Sequence, residues 1–137
     1  MHTILALDFG EKRIGCALAD FATNIPLPYA TIQVKNQAQV LEEILNIIKK
    51  ENVKEIVVGL PLNREGQDTQ KTKEVRAFID TLQAAVTISV EKIDERFTSR
   101  MSAIDNLKKS ERAEGIIDMR AAQMILERYL AARGRVI

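Results

Sequence analysis

Thr3-Ile4-Leu5-Ala6-Leu7-Asp8-Phe9-Gly10 is the stretch on which the reading of this chain turns. An uncharged, mostly aliphatic run stops at an aspartate, with a glycine one residue beyond. Such a run suits a strand buried on both faces of a sheet. Asp8 then stands at the strand's carboxyl end, where open α/β sheets place their ligands. Gly10 lets the backbone turn sharply or approach a ligand closely, because it has no Cβ. A carboxylate held at such a position is a natural site for a divalent cation. The competing reading is local: Asp frequently opens a turn, and Asp8 could simply start a hairpin.

The chain has 137 residues, which suits a single domain, residues 1–137, with a substantial core. Its formal charge is +1 with 28% charged residues, so any polyanion-binding surface has to arise from local clustering. The single cysteine, Cys16, excludes an intramolecular disulfide and suits a reducing compartment. Flanked by Ile14, Ala17 and Leu18, it reads as a small buried residue and not as a nucleophile. No apolar run approaches the length of a membrane span, and no charged region leads a signal-peptide core. The expectation is a soluble, cytoplasmic protein without a membrane partner.

Outward from the first segment, Glu11-Lys12-Arg13 is a polar tip and Ile14 to Asp20 a second apolar segment, together a hairpin. Asn24 to Pro28 reads as loop, with Pro26 and Pro28 as breakers. Tyr29 to Val34 is a third strand at the sheet edge. From Gln37 to Lys50 the period changes, with Val40, Leu41, Ile44, Ile47 and Ile48 at helical spacing and Asn36 as the N-cap. Glu55 to Gly59 is another buried strand. The spacing predicts a second helix from about Thr69 to Ala85, burying Val75, Phe78, Ile79 and Leu82, and a fifth strand over Val86 to Val90. Met101 to Ala113 is a weak amphipathic segment, and Ile116 to Arg133 a final helix. The fold class that follows is α/β: a five-stranded mixed sheet, an antiparallel meander of three strands joined to two parallel ones, with helices on both faces.

Two further sets of acids stand out. Projected at about 100° per residue, Asp118 shares a face of the last helix with Ala122, Ile125 and Tyr129, while Arg120, Gln123 and Glu127 fall on the solvent side. A carboxylate heading an apolar stripe needs a metal, a cation or N–H partners, unless it only caps the helix. Asp94 and Glu95 follow the fifth strand and point to opposite sides if it continues, so only one can face a site at Asp8. Arg96, Thr98 and Ser99 beside them offer a charge and hydroxyls suited to phosphate oxygens, or else make an ordinary solvated loop. An acid-only cluster without His or Cys favours Mg2+ or Mn2+ over zinc.

Asp8-Phe9-Gly10 with Arg13-Ile14-Gly15, then Gly59-Leu60-Pro61-Leu62-Asn63, then Asp94-Glu95-Arg96-Phe97-Thr98-Ser99, then Asp118 with Ala121-Ala122, together resemble the YqgF (RuvX) family. Each motif is short, but the four occur in order and span essentially the whole chain. The family's members are ribonuclease H-like proteins described both as Holliday junction resolvases and as pre-16S ribosomal RNA nucleases. The resemblance implies Asp8, Glu95 and Asp118 as catalytic and metal-ligating acids of a two-metal nuclease, a hydrolase acting on phosphodiesters, with Mg2+ or Mn2+ as cofactor. Phe97 departs mildly from the pattern, standing where a smaller aliphatic residue is common.

The nucleic acid, structured RNA or branched DNA, would be contacted by Lys12, Arg13 and Arg96, with Thr98 and Ser99 on phosphate oxygens. Asn63 and Arg64 could reach it from their loop, although Pro61 and Gly66 would equally serve to shape a crossover turn. Arg100, Lys108, Lys109 and Arg112 form a second contact area or a solvated charged face. Processing of the 5′ end of precursor 16S ribosomal RNA is preferred over junction resolution on family resemblance alone. Two rivals stand beside the nuclease: a ribosome-assembly factor that binds nucleic acid with little activity, and a nucleotide-binding domain, since Asp-x-Gly at a strand–hairpin also occurs in actin-like and sugar-kinase ATPases. No apolar face marks a dimer, so a monomer or weak homodimer is expected.

Overall fold

The computed structural model describes residues 3–95 and 114–133. Strand β1 (Thr3–Phe9) lies at the centre of a five-stranded sheet, as suits its uncharged run from Thr3 to Leu7. On one side it pairs antiparallel with β2 (Arg13–Asp20), which pairs antiparallel with β3 (Leu27–Gln33) at the edge. On the other side β4 (Val53–Leu60) runs parallel to β1, and β5 (Ser89–Asp94) parallel to β4, giving the order β3-β2-β1-β4-β5. This is the expected mixed sheet, meander first and parallel strands after.

Helix α1 (Gln37–Glu51) begins at Asn36, whose side chain accepts from the Gln39 backbone N–H at 2.8 Å. It ends at Asn52, in the left-handed region at φ 55°, a conformation that Asn tolerates better than most residues. Helix α2 (Gln70–Ala85) is capped by Thr69 in the same reciprocal way. Helix α3 (Glu114–Ala132) closes the described chain.

Strand alternation sorts the core into two layers. Leu5, Leu7, Cys16, Ile56 and Val58 face α1 and α2, where they meet Val40, Ile44, Val75, Phe78 and Leu82. Ile4, Ala6, Ala17, Ala19 and Val57 face α3 and meet Ala122, Ile125, Leu126 and Leu130. Each large aliphatic side chain so buried contributes about 1.5–3 kcal/mol of transfer free energy. The second layer differs in kind: alanines and a glycine on β1 and β2 let the α3 backbone come close. Cys16 is buried, and that burial, with the charge of Glu43 adding to it, pushes its thiol pKa up to about 12. It is a packing residue.

Three sequence expectations need correction. The fifth strand is Ser89–Asp94 and not Val86 to Val90; Val86 caps α2 through its N–H to the Leu82 carbonyl, so the aliphatic residues there finish a helix. Pro28 lies inside β3, where an edge strand accommodates it at a register irregularity opposite Ala17. Gln123 is not simply solvent-facing: its Nε2 donates to the Pro26 carbonyl at 3.0 Å and ties α3 to the loop before β3. The segment from Met101 to Ala113, read as a weak helix, lies outside the described residues. Among the described residues no helix is long and apolar enough to cross a membrane.

Candidate active site

A cleft of about 290 Å³ opens where β1 and β4 end, between the loop after β4, the first turn of α2 and the face of α3. Asp8, Glu95 and Asp118 all line it. They come from three remote stretches of sequence, and each is placed by a different device.

Asp8 belongs to β1 and sits opposite Gly15 of β2, on the face that Ile4 and Ala6 turn toward α3. Glu95 follows β5 directly; its backbone N–H donates to the Leu60 carbonyl at 3.1 Å, extending the pairing of β5 with β4 by one step. The step turns the side chain inward, and Glu95 is only 6% exposed. Gly59 makes that burial possible, since a Cβ there would lie 2.1 Å from Glu95 Oε2 and 2.6 Å from Ile125 Cδ1. Of the two acids left open by the strand pattern, Glu95 is the one that enters the cleft.

Asp118 is the fifth residue of α3, inside the helix, so it is not the N-cap. A Cβ on Gly15 would lie 1.8 Å from the Asp118 carbonyl oxygen, so α3 can approach the sheet here only across a glycine. The Asp118 side chain accepts a hydrogen bond from Arg13 Nε on Oδ2 at 2.8 Å, an ion pair with both partners partly exposed. Nearby, Thr31 Oγ1 donates to the Gly115 carbonyl at 3.0 Å and pins the first turn of α3 to β3.

The loop after β4 forms another wall. Asn63 organises it: Oδ1 accepts from the Gln67 N–H at 2.8 Å, and the carbonyl accepts from Gly66, whose φ of 79° requires glycine. Buried Thr72 donates to the Pro61 carbonyl at 2.6 Å, joining that loop to α2. This sets Lys71 at the cleft, a residue that sequence reading missed. Its signal was the Thr69 cap: a helix that starts where β4 ends brings its first turn to the same end of the sheet as Asp8.

Of the expected site residues, the fold gathers Asp8, Glu95, Asp118 and Arg13. Lys12 and Arg64 are exposed and do not line the cleft, and Asn63 is engaged in its own loop. Arg96, Thr98, Ser99, Arg100, Lys108, Lys109 and Arg112 lie outside the described residues. The cleft offers oxygen donors and no His or Cys, a set that fits Mg2+ or Mn2+. Among the described residues, no three acidic, His or Cys side chains are already gathered tightly enough to enclose an ion.

The opposite end of α3 carries a second polar cluster that sequence reading did not anticipate. Glu55 of β4, 7% exposed, accepts from the Tyr129 hydroxyl and from Arg133. Arg133 also donates to that hydroxyl at 2.8 Å, and its guanidinium lies 5.2 Å from the Tyr129 ring centroid. Burial first, then the bond to the Glu55 carboxylate, pushes the Tyr129 phenol up to about 12.

The profile of the RuvX family, described as Holliday junction resolvase, matches residues 2–132. A protein of Maridesulfovibrio salexigens named "Putative pre-16S rRNA nuclease" is 36% identical over 93% of this chain and 97% of its own. One of the same name from Rickettsia typhi is 40% identical over 94% of this chain and 85% of its own. Among solved structures, Thermus thermophilus RuvC aligns with a TM-score of 0.59 at 9% identity, covering 97% of both chains. The fowlpox virus Holliday junction resolvase aligns at 0.55 and 14% identity, covering 95% of this chain and 98% of that one. At such low identity these two establish the fold alone. The motifs read from the sequence, the mixed sheet and the family match agree: this chain belongs to the RuvX family.

Proposed function

We propose that this protein is a metal-dependent endonuclease that hydrolyses nucleic-acid phosphodiesters at the 5′ end of precursor 16S ribosomal RNA. The observation that carries the reading is three carboxylates lining one cleft, together with the cations Arg13 and Lys71, in a chain whose relatives are named nucleases.

Asp8, Glu95 and Asp118 would hold Mg2+ or Mn2+, one ion or two. Such an ion supplies activation of an attacking water and charge compensation at the phosphate. The chain's own contribution is positioning. β1 fixes Asp8 against Gly15, the closing step of β5 fixes Glu95 over Gly59, and α3 carries Asp118 onto β2. Lys71, on an α2 start that also brings the helix's partial positive charge, would hold a phosphate at the cleft mouth. Lys12 and Arg64, exposed at the same end of the sheet, would add contacts to the backbone further along, each weakening with salt. Arg96, Thr98, Ser99, Arg100, Lys108 and Lys109 are proposed contacts from sequence alone.

The test compares cleavage of a precursor 16S 5′-leader RNA with that of a four-way DNA junction, in Mg2+ and in Mn2+, by the wild type and Asp8→Asn. The expected result is metal-dependent RNA cleavage that Asp8→Asn abolishes with a nearly unchanged melt. Equal cleavage by the variant would falsify the catalytic assignment. The family's description favours a second reading, junction resolution. It wins if the junction is cut and the RNA is not. Tight RNA binding with no cleavage in either metal would instead mark an assembly factor.

A further inference from the structure

We propose that Arg13 is a positioning residue for Asp118, and that β2 seats this acid at two points, Gly15 beneath its backbone and Arg13 on its carboxylate. This rests on the metal-site reading above, and it reassigns Arg13 from the phosphate contact that its sequence neighbourhood suggests.

The geometry is specific. Arg13 and Gly15 are two apart on one strand, so both side-chain directions fall on the α3 face. Gly15 admits the Asp118 carbonyl to a place that any Cβ would occupy, with 1.8 Å to the oxygen. That fixes where the helix backbone stands. It does not fix the carboxylate, which still turns about two torsions. Arg13 Nε donates to Oδ2 at 2.8 Å and supplies the missing constraint. Guanidinium is planar and always charged, so the bond sets an orientation as well as a distance. A carboxylate has about four lone-pair sites on its two oxygens, so one bond to Arg13 leaves ligating capacity.

Exposure argues in the same direction. The Arg13 side chain is 28% exposed and that of Asp118 19%. A phosphate contact works best from a cation that reaches into solvent, as Lys12 does from the hairpin tip. Arg13 is instead held at the strand's first residue, against the helix.

The experiment measures Mn2+ binding without nucleic acid, through loss of the free-Mn2+ paramagnetic resonance signal, and RNA binding in EDTA without metal. Arg13→Gln should weaken Mn2+ binding by about 10-fold or more, the range for losing a group that orients a metal ligand. Arg13→Lys, which keeps the charge but not the planar donor, should recover part of it, and it serves as the variant if Arg13→Gln fails to fold. RNA affinity in EDTA should change less than about twofold, and the salt dependence should be kept. If Arg13→Gln lowers RNA affinity and its salt slope while Mn2+ binding stays intact, Arg13 is a phosphate contact and the proposal is wrong. Tighter Mn2+ binding overturns it too, since Arg13 would then compete with the ion. If Asp8→Asn binds Mn2+ like the wild type, the metal-site reading itself fails and the seat loses its purpose; that outcome is distinct from the other two.

Discussion

The two ends of α3 pose the same electrostatic problem and solve it differently. At the far end the acid is on the sheet and the arginine directly follows the helix: Glu55 meets both Arg133 and the Tyr129 hydroxyl, and is almost wholly buried. At the near end the roles are exchanged, with Asp118 on the helix and Arg13 on the sheet, both partly open to solvent and with two more carboxylates lining the same cleft. The Glu55 carboxylate is met by two donors from within the fold. The Asp118 cluster instead keeps its acid partly exposed, in a cleft that Asp8 and Glu95 also line and where the proposed ion would sit. An acid–arginine pair is therefore not by itself a sign of function or of structure; the company it keeps decides.

The sharpest way to break this contrast is to neutralise one acid at each end. Asp118→Asn should reduce cleavage by about 10³-fold or more, as losing a central catalytic group does, and should barely move the melting temperature. Glu55→Ala should do the reverse, costing about 2 kcal/mol through a cavity and the loss of the acceptor that Tyr129 and Arg133 share, with cleavage largely kept. Comparable activity losses at both ends would mean that the division is wrong. Gly15→Ala comes next and should damage both properties. Its methyl has no room beneath Asp118, so the start of α3 must shift, at about 1–3 kcal/mol, visible in the melt and in a fall in cleavage together.

Smaller effects sharpen the far end. Tyr129→Phe removes one hydrogen bond to a buried carboxylate and should cost about 1 kcal/mol, a few degrees of melting temperature, without altering catalysis. Alkaline pH should act there too. The phenol pKa stands at about 12 folded against an ordinary 10.0, so the neutral form is favoured by folding. Its contribution is complete below pH 10 and is lost as pH rises through 12. Tyr29, hydrogen-bonded to Glu51, and buried Cys16 are raised in the same direction and add to the decline. Denaturant titrations between pH 9 and 12 should therefore show falling stability, with a shallower fall in Tyr129→Phe.

How much of this was legible beforehand depended on the range of the signal. The Asn36 cap, the continuous apolar run that buries β1 on both faces, and the helical period of α1 are local, and local spacing revealed them. Val86 was misread because aliphatic residues finish helices as readily as they start strands, and only Val86's own N–H partner, the Leu82 carbonyl, distinguishes the two. Gln123 and Glu55 escaped for the opposite reason: each is defined by a residue far away in the chain. No spacing rule connects Glu55 to Tyr129 or Arg13 to Asp118.

From its amino acids alone, then, this protein had its strand and helix order, its mixed sheet, its kinship and the three acids that prove to line one cleft, because hydrophobic period, turn chemistry and short motifs act over a few residues. Packing decided the rest. Only the folded chain shows that Glu95 turns inward over Gly59, that Lys71 joins the cleft, and that Arg13 grips Asp118 across 105 positions of sequence. Those contacts exist because the α3 face of β2 is small enough, at Gly15, Ala17 and Ala19, for a helix to come down on it, and that closeness is a property of surfaces and not of any one stretch of chain.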